Sequence, residues 1–188
     1  MSGLRVIAGT ARGRKLRSVP GDSTRPITDR TKESLFNILS VDIIKARFLD
    51  LFAGTGSVGI EALSRGANYV RFIDKNAQAV KTVRDNLNST QLSEKGEVRR
   101  MDALSLLGQD ADLPFDYIYV APPQYKQIWK QTLVKLDQHM DWLVEDGWVV
   151  VQIHPVEYEE IELDHLEEFD QRKYGSTLLV FFHPKIKG

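Results

Sequence analysis

The sequence predicts an α/β fold, a mostly parallel sheet with one antiparallel strand, and three observations predict it. Strand-like and helix-like segments alternate from Arg47 onward, a glycine-rich turn follows the first of those strands, and two β-rich runs close the chain around Tyr174-Gly175-Ser176. Repeated βα units bury their helix stripes on both faces of a parallel sheet, joined by right-handed crossovers. The tight turn between the closing runs signals a hairpin, which requires a strand of opposite sense. At 188 residues, 42% hydrophobic and 27% charged, the chain has the size and composition of one domain, or of one domain with a small appendage.

Along the chain, two short alternating runs within residues 4–19 flank a glycine-containing turn and predict a β-hairpin extension. Pro20 to Pro26 reads as a linker. Thr28 or Asp29 caps a helix that runs to about Leu39, with Leu35, Phe36, Ile38 and Leu39 on its apolar side. The alternation then gives a strand over Phe48–Phe52, a helix from Ser57 to Arg65 closed by Gly66, a strand over Tyr69–Ile73 and a helix over Ala77–Leu87. A weaker strand at Glu97–Met101 precedes a short helix from Ala103. Phe115–Val120 is a strand, Gln127–Leu143 a helix and Trp148–Ile153 a strand, before the runs at Glu168–Lys173 and Thr177–Phe182.

Charge is divided unevenly. Residues 1–32 carry a net +6, among them Arg5, Arg12, Arg14, Lys15, Arg17 and Arg25, which leaves −7 for the remainder of a chain whose net charge is −1. Residues 141–170 hold eleven acidic residues and no Lys or Arg. Such a split suits a polyanion contacting one end of the molecule, although a solvated basic arm gives the same pattern. No apolar run approaches the ~20 residues of a membrane span and the basic start lacks an apolar h-region, so a cytoplasmic protein is expected.

The residue inventory closes several chemistries. With no cysteine, disulfides, thiolate-bound zinc and thiolate nucleophiles are excluded. So is methylation of pyrimidine C5 by a covalent cysteine route. The four histidines show no i,i+4 pairing, and no metal site is expected.

Ligands of open parallel sheets sit beyond the carboxyl ends of the strands. The candidate site is therefore built from the residues that follow each strand. The turn Asp50-Leu51-Phe52-Ala53-Gly54-Thr55-Gly56 continues to Gly59 and satisfies G-x-G-x-x-G, and Asp74 lies 20 residues after Gly54. Glycines let backbone N–H groups approach a ligand at a helix N-terminus, and an acidic side chain ending the second strand can accept from two ribose hydroxyls. This spacing serves NAD as well as any other adenosine cofactor. Two aspartates favour S-adenosylmethionine: Asp50 would repel a pyrophosphate but attract an ammonium and a sulfonium, and Asp102, beside Ala103, can accept from an adenine amine. Either aspartate could instead be a helix cap. Lys75, Met101 and Val120 complete the expected cofactor lining. After the fourth strand, Ala121-Pro122-Pro123-Gln124-Tyr125 is stiff, presents mainly carbonyl oxygens, and ends in an aromatic ring, which suits a planar amine, although Pro-Pro also simply ends strands.

Taken together, the turn Asp-Leu-Phe-Ala-Gly-Thr-Gly (50–56), the Pro-Pro loop, Arg25-Pro26-Ile27-Thr28-Asp29-Arg30 and Lys32-Glu33-Ser34-Leu35-Phe36-Asn37 resemble the RsmD-type family of 16S ribosomal RNA guanine-N2 methyltransferases. The opening Arg5–Leu16 segment and Tyr174-Gly175-Ser176-Thr177 extend the resemblance over nearly the whole chain. The resemblance implies a Rossmann-like class I methyltransferase with a seven-stranded sheet over residues 28–188, and a basic RNA-binding arm over 1–27. It implies S-adenosylmethionine as donor and a guanine amine in assembled or partly assembled small subunits as acceptor, with the protein acting as a monomer. Residues 50–56 would then hold the methionine end, Asp74 the ribose, and Asp102 with Ala103 the adenine. The segment near Thr28–Lys32 would help close over the cofactor.

One position departs from the pattern. The family's loop usually begins with Asp or Asn and ends with Tyr or Phe, whereas this chain has Ala121 and Gln124, with Tyr125 one place later. A purine amine is a weak nucleophile, and acceptors on its hydrogens favour the charge that develops during attack. Losing one such bond costs about 2.7–4 kcal/mol, or roughly 10²–10³ in rate. Gln124 could supply the missing oxygen with Tyr125 stacking on the base, catalysis could be slow, or the chain could bind RNA without methylating it. A methyltransferase acting on another substrate is a further reading.

Overall fold

The computed structural model describes residues 3–21 and 26–187; Arg25, an expected RNA contact, lies outside the described residues. Seven strands form one sheet: β1 (Arg47–Asp50), β2 (Tyr69–Asp74), β3 (Gly96–Arg100), β4 (Phe115–Val120), β5 (Leu143–Ile153), β6 (Leu166–Tyr174) and β7 (Thr177–Pro184). Their order is β3-β2-β1-β4-β5-β7-β6, and β7 runs antiparallel to both of its neighbours. The chain thus has the mostly parallel sheet and the single reversed strand that its βα alternation and closing hairpin predict.

Five helices cover the sheet. α1 (Asp29–Leu39), α2 (Ser57–Ser64) and α3 (Ala77–Ser89) pack on one face, where Leu35, Phe36, Ile60, Val83 and Leu87 meet Phe48, Val70 and Phe72. α4 (Ala103–Leu107) and α5 (Ile128–Gln138) pack on the other, where Trp129, Leu133 and Leu136 meet Leu49, Ile118 and Val149. Along β4 the faces alternate, Tyr117 and Tyr119 toward the first layer and Ile118 and Val120 toward the second, as the period of two demands. Of the three tryptophans, Trp129 and Trp142 are fully buried core residues and Trp148 is partly buried.

The largest differences from the expected boundaries fall between α5 and β5. The helix after β4 ends at Gln138 instead of Leu143, and β5 begins at Leu143 instead of Trp148. Leu143 pairs with Phe115 while Trp148 pairs with Tyr117, so the β4–β5 ladder carries an irregularity that draws the extra residues of β5 into the sheet. His139, at φ −127° and ψ 64°, leaves the helical region and stops α5.

The N-terminal segment turns back on itself as expected, joined by Val6 N to the Arg14 carbonyl, Gly13 N to the Val6 carbonyl and Leu16 N to the Leu4 carbonyl. The pairing amounts to a single bridge, Arg5–Lys15, and no longer ladder. The backbone of the turn between the two runs is engaged with α2. Ile7 N and Ala8 N donate to the carboxylate of Glu61 at 2.9 and 3.0 Å, Thr10 N to the Ser64 carbonyl, and Ala11 N to Ser64 Oγ. Gly9 makes this approach possible: at φ +88°, a Cβ there would lie 1.9 Å from the Ser64 carbonyl oxygen. Val6, Ala11 and Leu16 are buried in the same core as α1, α2 and α3.

Lys32 ties these parts together. Its side chain is fully buried, donates to the Arg5 carbonyl (2.6 Å) and Ser57 Oγ (2.9 Å), and lies 3.4 Å from Glu61. Without Lys32, Glu61 keeps Arg65 at 2.8 Å and two backbone donors, but the Arg5 carbonyl and Ser57 Oγ lose theirs. Lys32→Met should therefore lower the unfolding free energy by about 1–3 kcal/mol, the cost of leaving a buried polar group unsatisfied, read from the urea midpoint at constant m-value.

Candidate functional site

The carboxyl ends of β1, β2, β4 and β5 open into one cleft of about 910 Å³. Its floor is the turn after β1. Leu51 N bonds the Tyr119 carbonyl, Ala53 N the Ile73 carbonyl, and Gly56 N the Ala53 carbonyl, so the turn is fixed to both neighbouring strands before α2 begins. Gly54 (φ 56°) and Gly56 (φ 80°) take up the left-handed backbone this reversal needs. Asp50, Leu51, Phe52, Ala53, Gly54 and Thr55 all line the cleft, whereas Gly56 shapes the turn without lining it.

Asp50 is the unusual group on this floor. It is buried at 1% exposure, and its Oδ1 has no hydrogen-bond partner among the described residues. Burial pushes its carboxyl up to about 7, with Asp74 adding to the rise and the N–H groups of Gly59 and Phe52 opposing it. A partnerless carboxylate oxygen bordering a cleft calls for a cation to complete it. Asp50 ends β1, and the N-cap position of α2 is Gly56. Asp102 does cap a helix: its Oδ2 accepts from Ser105 N at 3.0 Å at the start of α4.

Asp74 ends β2 in a poised conformation. Gly54 N donates to Oδ2 and Asn76 N to Oδ1, each at 2.9 Å. Those bonds fix the carboxylate plane and leave each oxygen a further lone pair for hydroxyl donors. Lys75, Met101, Asp102 and Ala103 line the same wall. Val120 does not: its side chain is fully buried in the opposite core layer, as its place on β4 requires. The residues present fit an adenosyl group carrying an amino-acid moiety, with Asp74 for the ribose and Asp50 for the ammonium.

Across the cleft, Ala121, Pro122, Pro123 and Gln124 line the mouth. Tyr125 stands outside the lining at 66% exposure, its ring centroid 6.1 Å from that of His154. Tyr125 and Gln127 both adopt left-handed backbone, φ 63° and 53°, which costs a non-glycine residue about 1–2 kcal/mol. Glu157 holds the loop there, accepting from Tyr125 N (2.7 Å) and from His154 N (3.1 Å). His154 caps the short turn Pro155–Glu157, its Nδ1 accepting from Val156 N.

Several parts of the site lie outside the motifs that suggested it, apart from Pro26 and Ile27 of the Arg25–Arg30 segment. Val19, Pro20, Gly21, Pro26 and Ile27 form a wall of the cleft. Asn86, fully buried on α3, binds both Arg17 backbone groups and donates to the Thr55 carbonyl at 2.8 Å. It couples the arm to the glycine turn. Tyr119 and Gln152 pair at the back of the cleft, the tyrosine hydroxyl donating to Gln152 Oε1. Glu157 belongs to a run of acidic residues that reads as solvated surface. A lone polar residue at the right helical or strand phase was the one available signal.

The described basic residues of the arm, Arg5, Arg12, Arg14, Lys15 and Arg17, are exposed. Arg5 pairs with Asp29 at 2.9 Å, Arg17 lies 3.6 Å from Asp85, and Arg14 reaches the Ser89 carbonyl, while Arg12 and Lys15 also project into solvent. Among the described residues, no group of three His, Asp or Glu is placed to hold a metal ion, and no helix is long and apolar enough to cross a membrane.

A seven-stranded sheet of this order, with a glycine turn and an acidic residue closing the second strand, defines a Rossmann-like class I methyltransferase fold. The solved structure of the Escherichia coli protein YhhF superposes with a TM-score of 0.86 at 28% identity, over 97% of this chain and 98% of that one. Within that class, the chain belongs to the family described as "Conserved hypothetical protein 95", whose model matches residues 4–183, and this is the RsmD-type family its motifs resemble. It is 42% identical to YlbH of Bacillus subtilis, over 79% of this chain and 82% of that protein. It is 36% identical to the ribosomal RNA small subunit methyltransferase D of Haemophilus influenzae, over 79% of this chain and 78% of that protein.

The buried carboxyl gives a pH test. An unfolded Asp50 ionises near 3.8 and the folded one at about 7, so the folded state holds its proton more tightly between those values. Asp50's contribution to the stability of the ligand-free protein should fall as pH rises from about 4 to about 7. Asp50→Asn removes that penalty, and the variant should be more stable than the parent at pH 8, by at most about 4 kcal/mol, with the difference vanishing near pH 4. Urea titrations at the two pH values measure this directly.

Proposed function

We propose that this chain is an S-adenosylmethionine-dependent methyltransferase that modifies the exocyclic N2 amine of a guanine in small-subunit ribosomal RNA. The observation that carries the reading is the convergence on one cleft of a buried carboxylate with one oxygen lacking a partner, a second carboxylate fixed by Gly54 and Asn76, and a rigid Pro-Pro loop. Membership of a family whose relatives include named ribosomal RNA methyltransferases supports it.

S-adenosylmethionine supplies a methyl group on a cationic sulfur. Asp50 pairs with the ammonium of its amino-acid end, and Asp74 accepts from the ribose hydroxyls. Asp102 Oδ1, opposite the oxygen engaged in the helix cap, accepts from the adenine amine. A guanine splayed out of the RNA enters over Pro122 and Pro123, where backbone carbonyls accept its amine hydrogens and leave the nitrogen lone pair facing the methyl. Tyr125, beside His154 at the rim, stacks on the entering base or its neighbour. The basic arm, residues 1–27, with Arg5, Arg12, Arg14, Lys15, Arg17 and Arg25, grips the RNA backbone in an assembled or partly assembled small subunit. The protein works in the cytoplasm, as a monomer.

Small subunits lacking the modification, incubated with methyl-labelled cofactor and this chain, should acquire label in one guanine, located by mass spectrometry of nuclease fragments. Label in any other nucleotide, or none, overturns the proposal. Replacing Arg12 and Lys15 together by Glu should weaken subunit binding at every target sequence. It should also flatten the dependence of log K on log salt by about one for each lost phosphate contact.

A further inference from the structure

We infer that Gln152, on β5, provides the side-chain acceptor for the target amine that Ala121 does not provide; this rests on the methyltransferase reading above. The sheet register places it there. β4 and β5 are parallel and pair Tyr119 with Val150 and Val120 with Val151, so the next step along both strands sets Ala121 beside Gln152. Adjacent strands lie about 4.8 Å apart, and these two positions share a phase, so both side chains leave the sheet on the same face. That is the face of Tyr117, Tyr119, Trp148 and Val150, against whose core Ala121 packs. Ala121 and Gln152 both line the cleft.

The other polar groups at this end of the cleft are poorer candidates. Pro122 and Pro123 carry no side-chain acceptor, and Gln124 is exposed at the mouth, where its long side chain must be ordered before it can act. Gln152 is half-buried and already oriented, because its Oε1 accepts from the Tyr119 hydroxyl. Tyr119 is itself buried at 3% exposure, and its hydroxyl is held protonated by burial and by the neighbouring Asp50 charge, so it remains a donor. A carboxamide oxygen has two lone pairs; one is committed to Tyr119 and the second remains for an amine hydrogen in the cleft. Fixed dipoles of this kind favour positive charge developing on the amine and need no reorganisation as the reaction proceeds. Gln152 takes no proton: the nitrogen forms its bond to the methyl carbon, the carbon–sulfur pair stays on sulfur, and the amine proton leaves to water.

The test uses the full chain with unmodified small subunits. Gln152→Met, close in size and without the acceptor, should lower kcat by about 10²-fold while leaving the KM for subunits and the cofactor Kd within about twofold of the parent. Because the buried Tyr119 hydroxyl loses its acceptor, the thermal midpoint should fall by a few degrees. Tyr119→Phe in the same background should restore the midpoint without restoring kcat. Adding Ala121→Asn to that variant returns an amide oxygen to the neighbouring strand and should recover at least tenfold of the lost kcat. Unchanged kcat in Gln152→Met overturns the inference and leaves the methyltransferase reading standing. So does a loss of kcat that tracks a loss of stability or cofactor affinity and is not recovered by Ala121→Asn. A parent chain that transfers no methyl to any subunit overturns both.

Discussion

Glu61 is the point on which the arm, the first helix and the glycine turn converge. Fully buried on α2, its carboxylate receives the backbone N–H groups of Ile7 and Ala8 and the side chains of Lys32 and Arg65. An ionised carboxylate without water is tolerated only when donors occupy its lone pairs, and here they come from separate stretches of the chain. Lys32 is desolvated as well, which lowers its pKa, and Glu61 opposes that fall. The donors to Glu61 and the acceptors of Lys32 come from the arm, α1 and α2 together, which ties these three parts to one another.

That arrangement has a consequence for the site. α2 starts at Ser57, immediately after the glycine turn, and Ser57 Oγ accepts from Lys32 Nζ. Asn86 adds a second bond from the arm to the same turn, through Arg17 on one side and Thr55 on the other. The floor of the cleft and the basic surface of the arm are therefore parts of one hydrogen-bonded body. Anything bound to the arm would be positioned relative to the glycine turn through Lys32, Glu61 and Asn86, none of which lines the cleft.

The mouth of the cleft is built on a different principle. The turn after β1 is fixed by main-chain bonds to both neighbouring strands, whereas the loop after β4 depends on one carboxylate, Glu157, and on proline stiffness. Its strained residues, Tyr125 and Gln127, sit where the chain must pass from the sheet to α5. Rigid donor-site geometry beside a more lightly held acceptor loop suits a site that keeps its cofactor in place while a large second substrate arrives.

The strand–helix alternation, the reversed last strand, the glycine turn and the two aspartates at 50 and 74 were legible in the residues themselves, because each follows from local rules: side-chain period, turn chemistry and the fixed handedness of βα units. The basic arm was legible from charge alone. What required the tertiary structure was every contact that closes over long sequence separation. Glu61 with Ile7, Asn86 with Arg17, Tyr119 with Gln152 and Glu157 with Tyr125 join residues 32 to 69 positions apart. The single-bridge arm, the early start of β5 and the placement of Val120 away from the cleft arise in the same way. A sequence specifies which groups must be satisfied, but which distant partner satisfies them is set only when packing brings the two together in the absence of water.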